Sequence, residues 1–160
     1  VIASKQELFD LVLRDLIGDL VETLVIPDPG EFSDGRFWPA TERLFDEMMR
    51  ATESGESFVA LGRMFYLSGT PAEANRAVGK ALSSVQDWVR DVLVVGRESG
   101  AVRDDLPVSL QSRLVFAVLR AMDEWTLTID RARSADNIPH LVGAQLATVR
   151  RMLEPSPGIR

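Results

Sequence analysis

The stretch over residues 107–133 constrains the fold more than any other. Wound as a helix at 100° per residue, it places Leu110, Leu114, Ala117, Val118, Ala121 and Trp125 on one side. Val108, Val115, Leu119, Met122 and Ile129 stand beside them. The combined apolar arc spans roughly 200°, about twice the stripe that a helix lying on a single core requires. A helix of this kind has two dry neighbours. One is expected to be the chain's own core and the other a second copy of the protein.

The remainder of the chain reads as helices too. Ser4-Lys5-Gln6-Glu7 is a capping box, and Phe9, Leu13, Leu16, Leu20 and Leu24 follow on one stripe, which predicts a helix over 4–25. Ile26-Pro27-Asp28-Pro29-Gly30 is turn chemistry. Residues 31–38 read as a loop folded over something apolar, because it holds Phe32, Phe37 and Trp38. Short helices are expected from Pro39 or Thr41 to Thr52, closed by Glu53-Ser54-Gly55, and over 57–67.

Thr70-Pro71-Ala72-Glu73 joins an N-cap threonine, a proline at the first helical position and a glutamate at the third, so a long helix follows as far as Ser99. Gly100 supplies its left-handed stop. The last helix begins near Pro139 and carries Leu141, Val142, Leu146, Val149 and Leu153. No segment of β-branched and aromatic residues alternates at period two between turn signals, so the expected fold is all-α with about six helices.

Composition narrows the function. The 160 residues suit one domain, with 46% hydrophobic residues for a core. The longest apolar run, from Leu114 to Leu119, falls far short of the ~18 to 20 residues of a membrane span. Without a basic stretch leading into an apolar one at the start, a cytoplasmic location is expected. The net charge of −6 opposes a sequence-independent grip on nucleic acid, so any DNA contact is local or made by residues outside this chain.

Zero cysteines exclude thiolate nucleophiles and disulfides. The single histidine, His140, excludes paired-His metal motifs, and neither a G-x-S-x-G elbow nor a glycine-rich phosphate cradle occurs. The expectation is a non-enzyme without cofactor or metal. The adjacent carboxylates Asp46-Glu47, Asp104-Asp105 and Asp123-Glu124 point about 100° apart on a helix and read as solvated faces.

The aromatic and methionine residues are more suggestive. Phe37, Trp38, Met48, Phe58, Leu61, Met64, Phe65, Trp88, Met122 and Trp125 are candidates to line an apolar ligand cavity, with Tyr66 and Arg63 as polar anchors. Each of them also suits a plain core.

Two segments resemble one family. Ser4-Lys5-Gln6-Glu7-Leu8-Phe9 is similar to the opening of the helix that follows the recognition helix in TetR-type transcriptional repressors. Gly100-Ala101-Val102-Arg103-Asp104-Asp105-Leu106-Pro107 resembles the G-x-x-R-x-D-x-P junction between late helices of that family's C-terminal domain. The resemblance implies an orthogonal helical bundle, with residues 1–3 the end of a DNA-binding part and 4–160 an effector-binding and dimerisation domain. It also implies a homodimer in which the last two helices form a four-helix bundle with their two-fold mates. The residues implied at that interface are Leu110, Leu114, Val118, Ala121, Leu141, Gln145, Leu146 and Val149. Lys5 matches a phosphate-contact position, and operator DNA is read upstream of this chain.

The implied function is a repressor that releases its operator when a small apolar or amphipathic effector binds. The alternative is a helical dimerisation or partner-binding module with no effector. Which half of the 107–133 arc meets the pocket and which the dimer stays open from the residues alone.

Overall fold

The computed structural model describes Glu7, Leu8, Leu11 and residues 25–54, 75–129 and 138–158. Among these residues the chain is an all-α bundle of four helices and one short 3-10 turn, which corrects the expected six. The helices are α1 (Phe37–Ser54), α2 (Asn75–Glu98), α3 (Val108–Ile129) and α4 (Ile138–Leu153), with the 3-10 turn at Pro29–Phe32. Of the helix expected over 4–25, only Glu7, Leu8 and Leu11 are described before Val25, and all three are helical. The helix expected over 57–67 and the Thr70-Pro71-Ala72-Glu73 start lie outside the described residues.

Residues 31–38 are more regular than a loop. The Asp28 side chain accepts the Gly30 N–H at 2.8 Å, and the Glu31 carboxylate accepts the Asp28 N–H at 3.3 Å. This reciprocal pair, with Pro29 at the first position, winds the 3-10 turn and drives Phe32 into the interior, 1% exposed. Asp34 and Gly35 reverse the chain in the left-handed region, with φ of 54° and 77°. Helix α1 then starts at Phe37, ahead of the expected Pro39 or Thr41. Pro39 is tolerated there because a first-turn N–H has no partner within the helix.

The end of α2 follows the sequence expectation closely. Gly100 takes φ of 77°, the Ala101 N–H donates to Gly96 O at 2.9 Å, and the Gly100 N–H donates to Arg97 O at 3.1 Å. This is a Schellman motif, which satisfies carbonyls that the helix end would orphan. Pro107 caps α3, its carbonyl accepting the Leu110 and Gln111 N–H groups, both at 3.0 Å.

The elements pack in a ring. Helix α2 lies against the 3-10 turn and α3, α3 against α4, α4 against α1, and α1 against the turn. Phe32, Phe37, Ala40, Val92, Leu93, Val102, Val115, Val149 and Leu153 fill the middle. Each fully buried large apolar side chain contributes about 1.5–3 kcal/mol. Among the described residues no strand occurs, and no described helix is long and apolar enough to cross a membrane.

Candidate functional site

Two regions gather the residues singled out from the sequence: an aromatic cluster beneath α1 and the outward face of α3. The cluster forms because the 3-10 turn delivers Phe32 to a point between α1 and α2. The Phe32 ring meets Phe37 edge-on at 6.0 Å between centroids and Trp88 at 5.8 Å. Phe37 meets Trp38 edge-on at 4.9 Å. Such contacts add about 0.5–1.5 kcal/mol beyond area burial. The half-buried Trp88 donates its indole N–H to Pro27 O at 2.8 Å. Trp38 lies under the Arg150 guanidinium at 5.2 Å, and Arg150 also pairs with Glu42 at 3.5 Å and Glu154 at 2.5 Å, tying α1 to α4.

Of the expected pocket residues, Phe37, Trp38 and Trp88 thus come together. Met48 is exposed on α1, Met122 is half-buried on α3, and Trp125 is 54% exposed and outside the core cluster. Phe58, Leu61, Arg63, Met64, Phe65 and Tyr66 lie outside the described residues, as does Lys5. A cleft of about 50 Å³ opens between the 3-10 turn and α1, lined by Pro27, Glu31, Ala40, Arg43, Leu44 and Glu47. None of the expected pocket residues lines it. Its volume suits solvent rather than a ligand, since small-molecule sites run to about 300–1,000 Å³.

The wide arc of α3 divides cleanly. Val108, Val115, Val118 and Leu119 turn inward, Val115 being buried and the others packed on the core. Leu110 is 41% exposed, Leu114 half-buried, and Ala117 and Ala121 exposed. Together with Trp125 these make an outward stripe at i, i+4, i+7, i+11 and i+15. Of the implied dimer residues, Leu110, Leu114 and Ala121 belong to this stripe. Val118 and Val149 are occupied within the chain's own core, Val149 at 4% exposed. Gln145 and Leu146 are half-buried on α4; Leu141 and His140 are helical there, and their side chains lie outside the described residues.

A polar knot behind α3 escaped the sequence reading. Gln111 is 1% exposed and donates from Nε2 to Arg103 O at 2.6 Å. Arg97 donates to Leu106 O at 2.8 Å, Gln111 Oε1 at 3.1 Å and Asp104 O at 3.0 Å. A buried amide must find such partners, or its desolvation goes uncompensated. The signal was present: Gln111 occupies the i+3 place in the Val108, Val115, Val118 core stripe, where an apolar residue is the norm.

Asp105 is not simply part of a solvated face. It pairs with Arg103, whose Nε donates to Oδ1 at 2.6 Å and whose Nη2 donates to Oδ2. These hydrogen bonds from Arg103 hold the Asp105 carboxyl below its ordinary range and raise the arginine above its own. Among the described residues no group of three His, Asp or Glu side chains is placed to hold a metal ion. No family model, curated protein or solved structure matches the chain.

Proposed function

We propose that this chain is the effector-binding and dimerisation region of a ligand-responsive TetR-type transcriptional repressor, a regulatory rather than an enzymatic unit. One observation carries the reading: the outward stripe of Leu110, Leu114, Ala117, Ala121 and Trp125 on a helix whose other half already faces the core. Contiguous apolar surface of this kind marks an interaction site, and a two-fold copy presents the same stripe in return. The junction that resembles the family's motif is also well built for holding helices in register, since the Schellman end, Arg97 and Gln111 bind its backbone at several points.

In this scheme a small apolar effector enters beside the aromatic cluster, and the helix expected from the sequence over 4–25 carries the change to DNA-reading heads upstream. Heads on a two-fold operator must sit about 34 Å apart or a multiple of that spacing, so a modest tilt breaks register. The effector must favour the splayed state by ~1.4 kcal/mol for each tenfold shift in population.

Sedimentation velocity at micromolar concentration tests the dimer, and a stable monomer would sink it. Tryptophan fluorescence titrated with a panel of lipophilic compounds tests the effector. A saturable change is expected, because Trp38 and Trp88 report on the cluster.

A second reading, a dimerisation or partner-binding module with no effector, is favoured by one specific feature. Among the described residues, Phe32, Phe37, Trp38 and Trp88 pack edge-on in a chain of ring contacts. A dimer whose fluorescence stays flat across the panel selects this reading over the first.

A further inference from the structure

Three sets of contacts converge at Gly96. The Phe37 ring lies so close that a Cβ on residue 96 would stand 2.5 Å from Phe37 Cε2 and 2.6 Å from Val102 Cγ2. The Gly96 carbonyl accepts the Ala101 and Val102 N–H groups at 2.9 and 3.0 Å. The next residue, Arg97, spans Asp104 O, Leu106 O and Gln111 Oε1 with its guanidinium. Gln111 in turn holds Arg103 O, and the Arg103 N–H donates to Leu153 O at 2.7 Å. Direct contacts therefore run unbroken from the first residue of α1 to the start of α3 and the last residue of α4.

This arrangement does not stretch gradually. Arg97 is a planar fork that holds two junction carbonyls and the buried Gln111 amide at once, so its geometry ties the three acceptors together and a shift of one is passed to the others. The glycine removes any cushion between the Phe37 ring and the α2 backbone. A shift of the ring is met by the helix itself rather than absorbed by a side chain.

We propose that the Gly96–Arg97 step is the coupling point through which displacement of Phe37 reaches the α3–α4 pair, with Arg97 as the positioning residue that makes the junction, the start of α3 and the end of α4 move as one body. The consequence for regulation rests on the reading above: an event at the aromatic cluster is then felt at the outward face of α3. The coupling itself requires only the contacts within one chain.

Amide hydrogen exchange on the full chain, resolved by NMR, tests it. The Arg103 amide reports the junction-to-α4 bond and the Val92 amide reports global opening. Phe37→Leu is compared in the natural sequence and in an Arg97→Lys background, which keeps the charge and loses the fork. Relative to Val92, Phe37→Leu should lower Arg103 protection about tenfold when Arg97 is present and less than about twofold when lysine replaces it. An equal loss in both backgrounds, or no loss in either, overturns the proposal; Phe37→Met serves if the leucine variant does not fold. Sedimentation of the same proteins separates the two ideas, because a monomeric natural chain would refute the dimer while leaving the Arg103 result to stand or fall alone.

Discussion

The Trp88 indole N–H reaches back to the Pro27 carbonyl at 2.8 Å, so a residue well inside α2 holds the segment that enters the 3-10 turn. The same ring packs edge-on against Phe32, and together the two contacts seat the turn. Trp88→Phe keeps a ring and loses the donor. It should cost about 1 kcal/mol in urea unfolding, and Trp88→Ala should cost distinctly more. Equal losses would mean that the hydrogen bond carries all of the effect.

Two helical glycines should respond with opposite signs. Gly96 has the Phe37 ring and Val102 within 3 Å of any added Cβ, so Gly96→Ala should destabilise by about 1–3 kcal/mol. Gly143 is exposed in α4 with open space around it, so Gly143→Ala should stabilise by about 0.5–1 kcal/mol. Thermal unfolding of the pair reads both, and a shift of the same sign would contradict this account of Gly96.

Replacing Gln111 by leucine removes the amide that serves Arg103 O and Arg97 while keeping side-chain bulk on α3. Arg103 O loses its side-chain donor and Arg97 loses one of three acceptors, both at half-buried positions, and the expected loss is about 1–3 kcal/mol in chemical denaturation. Combined with Arg97→Lys, the loss should fall short of the sum of the two single effects, because they break one network. Strict additivity would argue that the two residues act separately.

The Asp105 carboxyl is held below its ordinary value mainly by its hydrogen bonds to Arg103. A depressed folded value means that the unfolded chain binds the proton more readily. The contribution of this pair to stability is therefore complete above about pH 4, the unfolded carboxylate value, and is lost as pH falls through the lower folded value. Asp105→Asn should lower the melting temperature at pH 7 slightly, because the pair is at the surface. The gap to the natural protein should close as pH falls below 4, and a gap independent of pH would show that the ionised pair has no part in it.

Leu110 stands on the outward half of α3, 41% exposed. Leu110→Lys should leave the stability of a single chain within about 0.5 kcal/mol while weakening self-association tenfold or more. Sedimentation equilibrium with paired unfolding curves separates the two quantities. An unchanged association constant would exclude this stripe as the contact between copies.

Helix ends that depend on neighbouring residues were legible in the chain. The Gly100 stop and the Gly100-to-Pro107 junction lie where the residues placed them. Caps and Schellman turns are closed by hydrogen bonds across three to five residues, so their cause lies within the same short window as their effect. The start of α1 was not legible in this way. Pro39 looked like a boundary, whereas the preceding 3-10 turn and the burial of Phe37 begin the helix earlier.

The sequence by itself determined an all-α chain and showed that residues 107–133 carry an apolar arc too wide for one neighbour. Only the tertiary structure decided how that arc divides. Val115 and Val118 turn inward and Leu110 and Ala121 outward because Arg97 anchors Gln111 behind α3 while α2 and α4 grip the same side. The rotation of a helix about its own axis is set by contacts with residues far along the chain. Periodicity names the faces of a helix, and packing chooses which of them is buried.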